Sequence, residues 1–157
     1  MKKIKYINVY KTLIYLILFV VLNISAFGQG RTYNWLLGYH YSSSSLEGRI
    51  NFTDTSLTVL PEQRNIPFMD TEGNISDENG NLLMSSNGVF IADATGDTMQ
   101  GGGGLNPGQV VDDFKDKGLP MPYANIILPM PDDSNKYVLF HQTADYNINL
   151  FCREIFY

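Results

Sequence analysis

The stretch Asn74-Ile-Ser-Asp-Glu-Asn-Gly-Asn-Leu-Leu-Met-Ser-Ser-Asn-Gly-Val-Phe-Ile-Ala-Asp93 decides the fold. Asn79-Gly80 reads as the centre of a type I′ turn, which needs positive φ at both central residues and whose twist matches that of the flanking strands. Asn87-Gly88 repeats the signal eight residues later. Three antiparallel strands joined by two tight turns make a meander, with Leu82, Met84, Val89 and Ile91 supplying an apolar face.

Outward from this meander the same grammar continues. Short β-type runs at Tyr33–Tyr39, Arg49–Phe52, Ser56–Leu60, Gly73–Ser76, Leu82–Ser85, Val89–Ala92, Ala124–Leu128 and Lys136–His141 are each bounded by Gly, Pro, Asn, Asp or Ser. No stretch after Gly30 keeps a 3.6-residue apolar period for three turns, so an all-β fold without a long helix is predicted. A second hairpin joins the last two runs, with Pro131-Asp-Asp-Ser-Asn135 as its polar turn. Residues 98–123 contain Gly101–Gly104, and glycine this dense carries a high backbone entropy. They are expected to form one long excursion with a helical turn at Val110–Lys115, and a loop of that length is usually functional or disordered.

The amino terminus differs in kind. Lys2, Lys3, Lys5 and Lys11 precede the apolar run Leu13-Ile-Tyr-Leu-Ile-Leu-Phe-Val-Val-Leu22, and small residues Ala26 and Gly28 follow. This is the layout of a secretory signal, cleaved between Gly28 and Gln29. Ten apolar residues fall short of the roughly 20 needed to span a ~30 Å hydrocarbon core. The alternative is an uncleaved signal anchor with its Lys-rich end in the cytoplasm. Either way residues 30–157, the β domain, lie beyond the inner membrane, secreted or at the cell surface. Membrane contact is then confined to the signal segment.

Charge and cysteine content exclude two classes. Eleven basic against sixteen acidic residues give a net charge of −5, and beyond Gly28 the balance is seven against sixteen. Nucleic-acid binding needs clustered Lys and Arg, so no nucleic-acid partner is expected. One Cys cannot staple the chain to itself.

The ordered set Asn34-Trp-Leu-Leu-Gly38, Asn51-Phe52, Thr71-Glu-Gly73, Ile75-Ser-Asp-Glu-Asn-Gly-Asn-Leu-Leu83, Ser86-Asn-Gly88, Met99, Gly102–Leu105, Ile126-Ile-Leu-Pro129 and Asn135-Lys-Tyr-Val-Leu-Phe140 resembles a known family. It is similar to the amino-terminal blades of large secreted β-propeller-like proteins of Bacteroidetes, of the gliding-motility-like or type IX sorting-domain kind. The resemblance spans residues 33 to 157. It implies antiparallel meander blades and a chain several times longer, of which this is a truncated or fragmentary member. Met84 and Ser85 depart from it, since the family carries an aromatic beside the Leu-Leu strand. Cys152-Arg-Glu-Ile-Phe-Tyr157 reads as the start of a further strand. Blades of about 40–45 residues, four or more to a ring, allow three at most after Gly28. An incomplete repeat array exposes apolar flanks, so a marginally stable product that tends to associate is expected.

Candidate chemistry is sparse. His40, His141 and Cys152 lack the flanking motif of a thiol hydrolase, and Ser42–Ser45 lack a nucleophile elbow. Asp77-Glu-Asn-Gly-Asn81 partly mimics a calcium loop, but Gly88 stands where the closing Glu is needed. Gly101–Gly104 have no Lys-Ser/Thr after them and make no phosphate loop. Asp70 with Glu72 and Asp112 with Asp113 are the acid pairs a glycosidase reading has available, and they read more simply as solvated loop acids. Trp35, Tyr39, Tyr41, Phe52, Phe68 and Tyr123 are candidates for sugar stacking, although a β core needs the same side chains. Asn23-Ile-Ser25 and Asn74-Ile-Ser76 match the glycosylation pattern. The reading is therefore a non-enzymatic surface protein that binds or scaffolds a protein or glycan partner, with no catalytic, cofactor or metal residues. The alternative is a secreted carbohydrate-binding module or glycan-active enzyme domain. The segments Ser42–Glu47 and Thr98–Tyr123 are the expected contact loops.

Overall fold

The computed structural model describes residues 9–18, 30–38, 47–144, 146 and 155–156. Residues 9–18 are helical (α1). No helix among the described residues is long and apolar enough to cross a membrane. His40, Tyr39, Tyr41, Ser42–Ser45, Cys152, Asn23 and the cleavage site lie outside the described residues.

Among the described residues from Gly30 onward the chain is mostly β, in three antiparallel sheets. Sheet I is β1 (Asn34–Gly38), β2 (Glu47–Phe52) and β3 (Leu57–Pro61), in that order. Sheet II is a four-stranded meander of β4 (Gly73–Ser76), β5 (Leu82–Ser86), β6 (Phe90–Asp93) and β7 (Thr98–Gly103). Sheet III is ordered β10-β9-β8, from β8 (Asn125–Met130), β9 (Asp133–Gln142) and the two-residue β10 (Ile155–Phe156). Strand β4 touches β1 of sheet I and β8 of sheet III. Sheet II is thus the middle layer, and sequence order is also layer order.

Two cores hold the layers. Leu36, Ile66, Phe68, Leu82 and Ala92 join sheets I and II. Val89, Val110, Leu119, Met121, Ala124 and Ala144 pack the segment after β7 against the β5–β6 turn and the start of β8. Phe90 packs against both.

Four expectations need correction. The Asn79-Gly80 turn is not type I′, because only Gly80 has positive φ (86°). Gly80 N–H donates to Asp77 O and Asp77 N–H to Asn81 O, with a register shift at Ser76. That is a type I turn closed by a left-handed glycine in a bulge. The Asn87-Gly88 turn likewise has positive φ at Gly88 alone. Asn87 supplies the closure through its side chain, accepting from Val89 N–H at 3.0 Å and Phe90 N–H at 3.2 Å. The turn expected at Pro131–Asn135 contracts to Pro131-Asp132, since Met130 pairs with Asp133 and β9 starts there. Proline followed by a positive φ (65° at Asp132) is the type II pattern.

The fourth correction concerns residues 98–123. Thr98–Gly103 form strand β7 on the edge of sheet II, although glycine density argued against a strand. Between the pairs Ala92–Thr98 and Phe90–Gly103 β7 carries more residues than β6, and glycine absorbs that bulge. A Cβ on Gly102 would lie 2.7 Å from Ile91 O, so the backbones approach more closely than any other residue allows. The rest is no free loop either. The helix expected at Val110–Lys115 is α2, Gln109–Phe114, and it buries Val110. Leu119 N–H then bonds Asn87 O, and Thr71 Oγ1 donates to Met121 O at 2.6 Å.

Candidate functional site

Alternation along a strand sends successive side chains to opposite faces, and paired residues share a face. In sheet I, Trp35 pairs with Ile50 and Ile50 with Val59, while Phe52 pairs with Leu57. With Leu37 these residues make an outer face without a charged group. Trp35 is 54% exposed and Val59 62% exposed. Trp35 and Phe52 meet edge to face, ring centroids 4.9 Å apart, which fixes the indole on this surface. Sheet III also exposes apolar side chains on its outer face, where Ile126 (52% exposed) and Leu128 (42%) lie on β8 beside Val138 of β9, with the exposed Lys136 two residues along the same face. The two outer layers therefore turn apolar surface away from the middle one.

The inner face of sheet I is polar where it meets sheet II. Asn34, buried, donates from Nδ2 to Ser76 Oγ (2.8 Å) and Gly80 O (2.7 Å). Its Oδ1 accepts from Asn51 Nδ2 at 3.2 Å, and its backbone O accepts from Asn74 Nδ2 at 2.7 Å. Asn74 Nδ2 is thereby engaged in an inter-sheet bond. Arg49 and Glu62 form a two-pronged ion pair. The buried Arg64 guanidinium caps the strand ends, donating to Gly48 O (3.0 Å) and Leu37 O (2.6 Å), and sits 5.2 Å over the Phe68 ring.

Glu72 lies beside this group. Burial pushes its carboxyl up to about 7, partly offset by the positive charge of Arg64. Asp70 is exposed, whereas Glu72 is half-buried. Asp112 and Asp113 are exposed on α2, where Asp113 accepts from Tyr146 OH at 2.7 Å.

The remaining candidates resolve into structural roles. Asp77 accepts from Asn79 N–H, Asn81 N–H and Asn81 Nδ2, each within 2.9 Å, so its oxygens hold the hairpin. These bonds keep its carboxyl below the usual range. Among the described residues no three His, Cys, Asp or Glu side chains group as metal ligands. His141 is buried on β9, and desolvation lowers its pKa. Phe68 is core, whereas Tyr123 stands 93% exposed in a left-handed turn (φ 58°). A groove of about 520 Å³ lies between Arg31, Glu78 and the β8–β9 turn. There Arg31 is already engaged by Glu78 at 2.9 Å and by Tyr137 OH at 3.1 Å.

Sequence reading missed one repeat. Ile91-Ala-Asp-Ala-Thr-Gly-Asp97 builds the same hairpin as Ile75–Asn81: Gly96 N–H donates to Asp93 O, Asp93 N–H to Asp97 O, and Asp93 Oδ1 accepts from Thr95. The shared signal, Ile-small-Asp-x-x-Gly-Asn/Asp, recurs after sixteen residues. The apolar outer faces, by contrast, were legible only once register was known. No protein-family model, curated protein or solved structure matches this chain.

Proposed function

We propose that this chain is an exported, non-enzymatic protein of the envelope or cell surface, whose three sheets act as blades of a β-propeller-like binding or scaffolding array. One observation carries the reading: a stack of antiparallel sheets in sequence order, each outer sheet exposing apolar side chains on its outer face. Repeat architectures bury each unit against its neighbours, so a face of this kind belongs in a junction. The apolar segment after Lys11 supplies the export reading.

The glycan alternative is less well supported. Sugar platforms combine an aromatic ring with hydrogen-bonding groups beside it. The residues around Trp35 on its face are Leu37, Ile50, Phe52 and Val59.

Fractionation of the producing cells, with proteolysis of intact cells and amino-terminal sequencing, tests the proposal. The expected product starts at Gln29 or remains anchored, and external protease reaches it. A cytoplasmic product that retains Met1 and resists external protease contradicts the reading.

A further inference from the structure

We infer that a second copy of this chain covers the apolar outer faces, sheet III of one molecule seating on sheet I of the other. The inference rests on the scaffold reading and names its partner. Within one molecule sheet II already meets a neighbour on each side through β4, sheet I at β1 over the core of Leu36, Ile66 and Phe68 and sheet III at β8 beside the core of the segment after β7. A third application of that relation places the outer face of sheet III, with Ile126 and Leu128, against the outer face of sheet I, with Trp35 and Val59. The contact is head to tail, and such contacts form closed rings when the rotation per step closes.

Two arguments favour a copy of the same chain. The first is area: Trp35, Leu37, Leu57 and Val59 leave on the order of 400 Å² of apolar surface on sheet I, and the β8 residues leave somewhat less. Two junctions per dimer then bury on the order of 1,400 Å², within the range of stable interfaces. The second is closure. Two copies of the three described layers make six, inside the four to eight blades of propeller rings. Sheet I packed on a second sheet I also hides apolar surface, but it leaves both sheet III faces bare.

The test uses the chain as exported, alone and carrying Val59→Lys or Leu128→Lys, in sedimentation velocity over a hundredfold concentration range. Both side chains are exposed, and circular dichroism checks that each variant folds. The unaltered chain is expected to sediment as a dimer, and either substitution alone to raise its dissociation constant at least tenfold. A monomer at every concentration overturns the inference, whether the faces are bare or covered by the chain's own amino-terminal segment. A dimer indifferent to Leu128→Lys overturns it in favour of pairing through sheet I. Neither result bears on export, so the scaffold reading stands or falls separately.

Discussion

At Asn34 one carboxamide serves two sheets. Its amide hydrogens reach Ser76 and Gly80 across the layer junction, while its oxygen takes the amide of Asn51 within sheet I. Asn34→Ala leaves those buried groups without a partner, and a loss of about 2–3 kcal/mol in denaturant unfolding is expected. Glu72 acts in the opposite sense. Its folded-state pKa of about 7 lies above the ordinary 4.5, so the folded protein holds a proton that the unfolded chain releases. The associated stability is complete below about pH 4.5 and is lost as pH rises through 7. Glu72→Gln should therefore change little at pH 4.5 and stabilise at pH 8 by about 1–2 kcal/mol, allowing for partial solvent access. Unfolding curves at the two pH values check it, and equal effects at both would contradict the assignment.

Among the elements, the β7 edge is the most instructive. A run of glycines forms a strand because the neighbouring β6 carbonyl leaves no room for a side chain at Gly102, while Gly103 faces open space. Gly102→Val is expected to cost about 2 kcal/mol or more through that clash. Gly103→Ala is expected to be neutral or to stabilise by about 0.4–1 kcal/mol through the unfolded chain. Thermal midpoints of the pair distinguish a required close approach from mere flexibility. This is also where sequence reading failed, since glycine density signals both a loop and a tight backbone contact. The reading of β4 succeeded at both ends, and that of β5 missed a single residue, because Asp77-Glu-Asn-Gly and Ser86-Asn-Gly punctuate them locally. Turn types were not legible, because positive φ at an asparagine depends on the register of both strands.

For the whole molecule, alternation made all-β architecture legible, whereas the layering was not. Which face of sheet I turns inward is settled by Leu36, Asn34 and the Ile66–Phe68 plug, contacts remote in sequence. The candidate interaction surface is the reverse of that face, so it was equally hidden. Residues beyond Gly28 carry seven basic and sixteen acidic groups, and copies of this body repel one another at long range. Association through these mainly apolar faces should therefore tighten as salt rises from about 10 to 150 mM and screens that repulsion. A dissociation constant that rises with salt would point to ion pairing instead.

The two ends of sheet II are built differently. At one, the β4–β5 and β6–β7 hairpins close on their own aspartates, with Glu78, Asn79, Ala94 and Thr95 exposed. At the other, the β5–β6 turn is buried, with Asn87 O taken by Leu119 and Gly88 O by Asn106. Additions to the chain are consequently tolerated at one rim and refused at the other. A peptide epitope spliced in after Thr95 should be displayed on a folded protein, whereas one spliced in after Gly88 should abolish folding. Variation by insertion and deletion thus has one rim on which to work, and labels or grafted loops belong there.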